Sequence, residues 1–109
     1  MYTFTNIVVP SGSPQQFNST TQSPTTLHLS WFLPQPSDIN GIIQYYSLSY
    51  LELETGLLLW KNATTMSTIV MDLHPFYTYE FTVSAVTIGT GPVTSITVQM
   101  PEAGKFYHF

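Results

Sequence analysis

A chain of 109 residues has the length of one domain, since typical domains hold about 100–150 residues, and two folded domains are not expected. Charged residues make up 7% and the formal net charge is −4, and the only basic side chains are Lys61 and Lys105. With no basic patch to neutralise phosphates, nucleic acid and anionic membrane surfaces are poor partners. Cysteine is absent, which excludes disulfides, thiolate catalysis and cysteine-based metal sites and leaves the redox compartment open. Hydrophobic residues at 43% and aromatics at 15% suffice for a core, so disorder is excluded by composition. The longest apolar runs, such as Leu57 to Trp60, fall far short of the ~20 residues of a membrane span. Met1 to Pro10 has neither the basic start nor the apolar stretch of a signal peptide.

Thr, Ser, Val, Ile, Tyr and Phe dominate short segments punctuated by Pro, Gly and Asn, the signature of an all-β chain. An opening strand is expected near Gln15 to Thr21. From Thr26 to Phe32 the residues alternate, with Leu27, Leu29 and Trp31 on one face. Leu33 to Gly41 carries Pro34, Pro36, Asp38 and the Asn40-Gly41 pair and reads as a loop. Ile43 to Leu53 alternates again, placing Tyr46, Leu48 and Tyr50 together, and Glu54-Thr55-Gly56 makes a turn. Leu57 to Lys61 is a short apolar strand, Asn62 to Ser67 a polar loop, and Thr68 to Leu73 a further strand. The register of that strand stays open: Ile69, Met71 and Leu73 share one parity, Thr68 and Val70 the other. Tyr77, Tyr79, Phe81, Val83 and Ala85 form the clearest inward set, on a strand long enough to be central. A turn at Gly89-Thr90-Gly91-Pro92 leads to a last strand with Ile96, Val98 and Met100 on one face. Seven short strands at this spacing predict an antiparallel, immunoglobulin-like β-sandwich with Greek-key connections.

Residues 13–102 resemble the fibronectin type III family. Pro14 and Phe17 look like its opening positions, and Leu27-His28-Leu29-Ser30-Trp31 looks like its second strand with the buried Trp. Asn40-Gly41 followed by Tyr46-Ser47-Leu48-Ser49-Tyr50 is similar to its turn and Tyr-rich strand. Leu73-His74-Pro75 with Tyr79 resembles the tyrosine corner, in which a Tyr hydroxyl bonds to backbone a few residues upstream. The resemblance implies a structural core around Trp31, Tyr46, Leu73 and Tyr79. Tyr77 departs from the small residue common there and implies a more aromatic corner. Thr87 to Pro92 contains no Arg-Gly-Asp, and the two Trp, Trp31 and Trp60, form no Trp-Ser-x-Trp-Ser box. The integrin and haematopoietic-receptor modes of the family therefore have no support here.

No constellation for catalysis stands out among His28, His74, His108 and the six carboxylates, and no metal or other cofactor is expected. Glu52 and Glu54 share a strand face and read as a solvated pair. Asn18-Ser19-Thr20 and Asn62-Ala63-Thr64 are N-glycosylation sequons, though chance matches arise easily in a chain so rich in Ser and Thr. The apolar surplus at Leu57, Leu58, Leu59 and Trp60, with Leu51 and Leu53, exceeds what alternate burial absorbs, so it either covers the core edge or contacts a protein. Phe32 and Tyr45 are weaker candidates for that surface. The expected function is a non-enzymatic extracellular spacer or adhesion module in a tandem array of a single-pass cell-surface receptor, or a secreted protein, similar to receptor-type tyrosine phosphatase ectodomains. It would meet neighbouring domains or protein partners and be monomeric in isolation. The alternatives are a dedicated ligand-recognition module using Leu57 to Trp60, and an intracellular scaffold module. Residues 1–12 and 103–109 are expected to be linkers or end segments.

Overall fold

The computed structural model describes residues 8–103; the remaining residues of the expected end segments, with Lys105 and His108, lie outside the described residues. Within them the chain forms seven strands: β1 (Gln15–Ser23), β2 (Thr26–Phe32), β3 (Tyr45–Glu52), β4 (Leu58–Ala63), β5 (Ser67–Val70), β6 (Thr78–Val86) and β7 (Thr90–Gln99). A single 3-10 turn at Pro36–Asp38 interrupts the loop between β2 and β3. The strands build a three-stranded sheet in the order β1-β2-β5 and a four-stranded sheet in the order β4-β3-β6-β7. All pairings are antiparallel.

The alternation of apolar residues decides which faces meet. Leu27, Leu29 and Trp31 of β2 pack against Tyr46 and Leu48 of β3 and Tyr79, Phe81, Val83 and Ala85 of β6. Trp31 lies edge-on between Phe17 and Tyr46, with ring centroids 6.1 and 5.4 Å away, arrangements that aromatic quadrupoles favour. Trp31, Tyr46, Leu73 and Tyr79 are all buried. β6 is flanked on both sides and so carries the longest buried run, including Ser84 and Val86 on its outer face.

The structure shifts several boundaries. β4 runs on through Asn62 to Ala63 and β5 opens at Ser67, where the sequence suggests a loop over Asn62 to Ser67. An edge strand tolerates an exposed Asn62, and Ala63 is buried opposite Tyr46. β5 ends at Val70 rather than Leu73. Asp72 then takes a left-handed conformation at φ 62°, so Val70 and Leu73 are both buried although their parities differ, while Ile69 and Met71 are exposed.

The β6–β7 connection is shorter and earlier than the turn over 89–92 that the sequence suggests: Gly89 lies in the bend at 87–89, where its carbonyl accepts the Thr87 N–H at 3.2 Å, and Gly91 falls within β7, which begins at Thr90. The lack of side chains at both glycines also admits the segment from Val8 to Gly12, which is packed onto the body of the domain. A Cβ on Gly91 would lie 2.7 Å from Pro10 Cβ and 3.0 Å from its carbonyl oxygen, and one on Gly89 would lie 2.8 Å from Val9 Cγ1. Pro10 is fully buried. Asn40 Nδ2 donates to the Val9 carbonyl at 3.1 Å and the Ser11 N–H donates to the Asp38 carbonyl at 2.8 Å. Gly91→Ala must displace a proline ring and backbone, so it is expected to cost about 1–3 kcal/mol, read as a lower urea midpoint.

Candidate functional site

β4 is an outer strand of its sheet, and its apolar residues find no layer above them. Leu57, Leu58, Leu59 and Trp60 are 50%, 46%, 41% and 67% exposed, and Leu53 joins them at 50%. The pairing Leu51↔Leu58 and Ser49↔Trp60 puts Leu58 and Trp60 on the outer face, beside Leu51. Leu59 lies on the inner face, opposite Tyr50. The apolar surplus therefore divides: Leu58 and Trp60 form, with Leu51, an exposed strip on the outer face at the rim of the four-stranded sheet, while Leu59 lies at the margin of the core face. Beside the strip, Ser49 and Thr82 share a hydrogen bond between their hydroxyls, and Ser95 continues that rung on β7. Tyr45 shares the outer face farther along β3, but Phe32, exposed at the end of β2, stands on the other sheet.

Glu52 is the residue for which the structure departs most from sequence reasoning. It is buried, not solvated beside Glu54. Its parity on β3 is that of Tyr46, Leu48 and Tyr50, which was the available signal. The Tyr79 hydroxyl donates to Glu52 Oε2 at 2.9 Å and accepts the His74 N–H at 2.8 Å. The Thr55 hydroxyl also donates to Glu52, and His74 Nε2 stands 3.7 Å from Oε2. Glu54 accepts the Thr78 N–H at 3.0 and 3.1 Å and so tethers the start of β6. His74 packs on Tyr77 with ring centroids 4.8 Å apart.

These contacts set the protonation behaviour of the corner. The Thr55 hydrogen bond, assisted by Tyr79 and the nearby His74, holds the Glu52 carboxyl below its ordinary value of 4.5 despite burial. A carboxylate with a lowered folded pKa stabilises the fold fully above its unfolded value and loses that contribution as pH falls through the folded value. Stability is therefore expected to decline with acid below about pH 4.5, and Glu52→Gln should flatten the slope in urea titrations across that window. Burial, with Glu52 close by, pushes the Tyr79 hydroxyl up to about 12. The neutral phenol thus supports the fold below pH 10, and that support is lost as pH rises from 10 to about 12.

Among the described residues no group of three or more His, Cys, Asp or Glu side chains gathers as a metal site. His28 lies on β2, the middle strand of the three-stranded sheet, and His74 in the connection between β5 and β6. Asn18 is exposed on β1, its amide engaged by the Ser30 hydroxyl at 3.1 Å and the Gln16 carbonyl at 3.3 Å. Asn62 is exposed on β4.

A family model described as the fibronectin type III domain matches residues 12–106. The chain belongs to the fibronectin type III family. Receptor-type tyrosine-protein phosphatase F of Mus musculus is 34% identical over 72% of this chain and 4% of its own length. Phosphatidylinositol phosphatase PTPRQ of Rattus norvegicus is 36% identical over 79% of this chain and 4% of its own length. Usherin of Mus musculus is 38% identical over 81% of this chain and 2% of its own length. The chain thus spans only a small fraction of these relatives. Among solved structures, the FN5 domain of Drosophila Lar superposes with a TM-score of 0.70 at 29% identity, covering 87% of this chain and all of that one. The third fibronectin III domain of human KIAA0343 protein gives 0.75 at 18% identity over 93% of this chain and 90% of that one. In this fibronectin type III domain the tyrosine corner is Tyr79 bonding to the His74 backbone, and Glu52 adds a buried acceptor to it.

Proposed function

We propose that this fibronectin type III domain is a non-enzymatic, extracellular link of a longer cell-surface chain, which holds its neighbours at a fixed separation and offers protein contacts. The observation that carries this reading is the way the chain enters. Residues Val8 to Gly12 are clamped at the pole formed by Asp38, Asn40, Gly89 and Gly91, while β7 leaves at the opposite pole, where the Phe76 N–H donates to the Pro101 carbonyl at 3.0 Å. A chain seated at both poles transmits orientation from one neighbour to the next. Relatives named as receptor-type phosphatases support the cell-surface setting. As a test, the 109-residue chain behind a cleavable secretion signal should leave animal cells folded, with one cooperative thermal transition; intracellular retention and degradation would contradict the extracellular reading.

The exposure of Leu57 to Trp60 favours a second function for the same domain, protein contact through this strip. Exposed apolar area of this kind marks interaction surfaces. Trp60→Lys should change stability by no more than about 0.5 kcal/mol, yet weaken binding of the secreted domain to cells that express the parent chain's ligands. Unchanged binding would show that the strip makes no such contact.

A further inference from the structure

Four strands end the two sheets, and three of them carry devices that discourage pairing with another chain. β1 has register shifts between Gln15 and Asn18 and between Thr21 and Ser23, with Gln16 at φ 53°. β5 has only four residues. β7 contains Pro92, which lacks a donor, and a register shift against β6. Bulges, short strands and prolines are the ordinary means of blunting an edge. β4 has no bulge, no proline and an unbroken ladder with β3 from Tyr46↔Ala63 to Leu51↔Leu58; Lys61, opposite Leu48, is its single guarding charge.

The direction of its open groups follows from one bond. The Glu52 N–H donates to the Leu57 carbonyl at 2.8 Å, so alternate residues from Leu57 face β3 and those between them face outward. Leu58, Trp60 and Asn62 therefore turn their N–H and C=O groups to the open edge. That edge is complementary to itself. An antiparallel second copy centred on Trp60 opposite Trp60 sets Leu58 opposite Asn62 and satisfies all three residues, while Lys61 faces Leu59 rather than another Lys61.

Asn62 begins the Asn62-Ala63-Thr64 sequon, is exposed, and makes no side-chain hydrogen bond among the described residues. We propose that Asn62 carries an N-linked glycan whose role is to close the β4 edge against strand pairing with a second copy. This rests on the extracellular reading and adds regulation to the Leu57–Trp60 strip. In that pairing Asn62 and Leu58 of the second copy stand side by side on the same outer face, so a glycan rooted at Asn62 would crowd Leu58 of that copy and confine the strip to side-chain contacts.

The test combines intact mass before and after glycan release with sedimentation velocity, on secreted wild type, Asn62→Gln, and Asn62→Gln with Trp60→Lys, each also carrying Asn18→Gln. Wild type should bear one glycan at Asn62 and sediment as a monomer. Asn62→Gln should double the sedimenting mass, and adding Trp60→Lys, which sets like charges opposite each other at the two-fold axis, should restore the monomer. A bare Asn62 in secreted protein overturns the modification. A monomeric Asn62→Gln chain overturns the guarding role, and a dimer that survives Trp60→Lys overturns the edge assignment. All three leave the extracellular reading standing. Failure of wild type to be secreted strikes that reading instead, and the chain made without glycans in bacteria then tests the edge alone: a dimer supports it and a monomer overturns it.

Discussion

Trp31→Ala is expected to lower the unfolding free energy by about 3–5 kcal/mol, the range for truncating a large buried aromatic. Trp31 is 3% exposed and stands where the two sheets meet, in edge contact with Phe17 and Tyr46. Removing the indole leaves a cavity that β-sheets, held by their ladders, close only in part. One feature of the native site works against the side chain: Nε1 is buried without a hydrogen-bond partner among the described residues, a burden of about 1–3 kcal/mol. Trp31→Phe should therefore cost clearly less than Trp31→Ala, because it keeps aromatic contact and deletes the orphan donor. Equal losses from both variants in urea unfolding would mean that the ring does not fill the centre of the core.

Tyr79→Phe should cost about 2–3 kcal/mol, since its hydroxyl bonds a carboxylate and charge-assisted hydrogen bonds contribute about 1.5–3 kcal/mol. The substitution keeps the ring packed against Phe81 but leaves the His74 N–H without its acceptor and the buried Glu52 without its Tyr79 donor. The double-mutant cycle with Glu52→Gln checks the coupling. If the network carries the effect, Tyr79→Phe costs less in the Glu52→Gln background; additive losses would show that the two side chains act separately.

Much of this architecture is legible in the alternation of β2, β3 and β6, where Leu27, Leu29, Trp31, Tyr46, Phe81 and Val83 mark the core unambiguously. Parity fails where the backbone leaves the extended region. Val70 and Leu73 cannot both be assigned inward by alternation, and only the left-handed turn at Asp72 reconciles them. Glu52 was readable from parity, but a charged residue next to Glu54 suggests solvent, and its partners Tyr79 and Thr55 become visible only once the corner closes. Gly91 looks like a turn residue, although it lies within β7, because the segment it accommodates is about 80 positions away in the chain. As for the Leu57–Trp60 strip, its surplus of apolar residues is plain in the sequence, but its exposure depends on β4 ending the sheet.

Clamping of the chain at both poles is directly measurable, because cysteine is absent. Spin labels placed by Val9→Cys and Glu102→Cys report the distance between the entering and leaving segments by pulsed electron paramagnetic resonance. A single narrow distance distribution, broadened when Gly91→Ala is added, is the predicted result. A broad distribution in the parent chain, unchanged by Gly91→Ala, would contradict a fixed link.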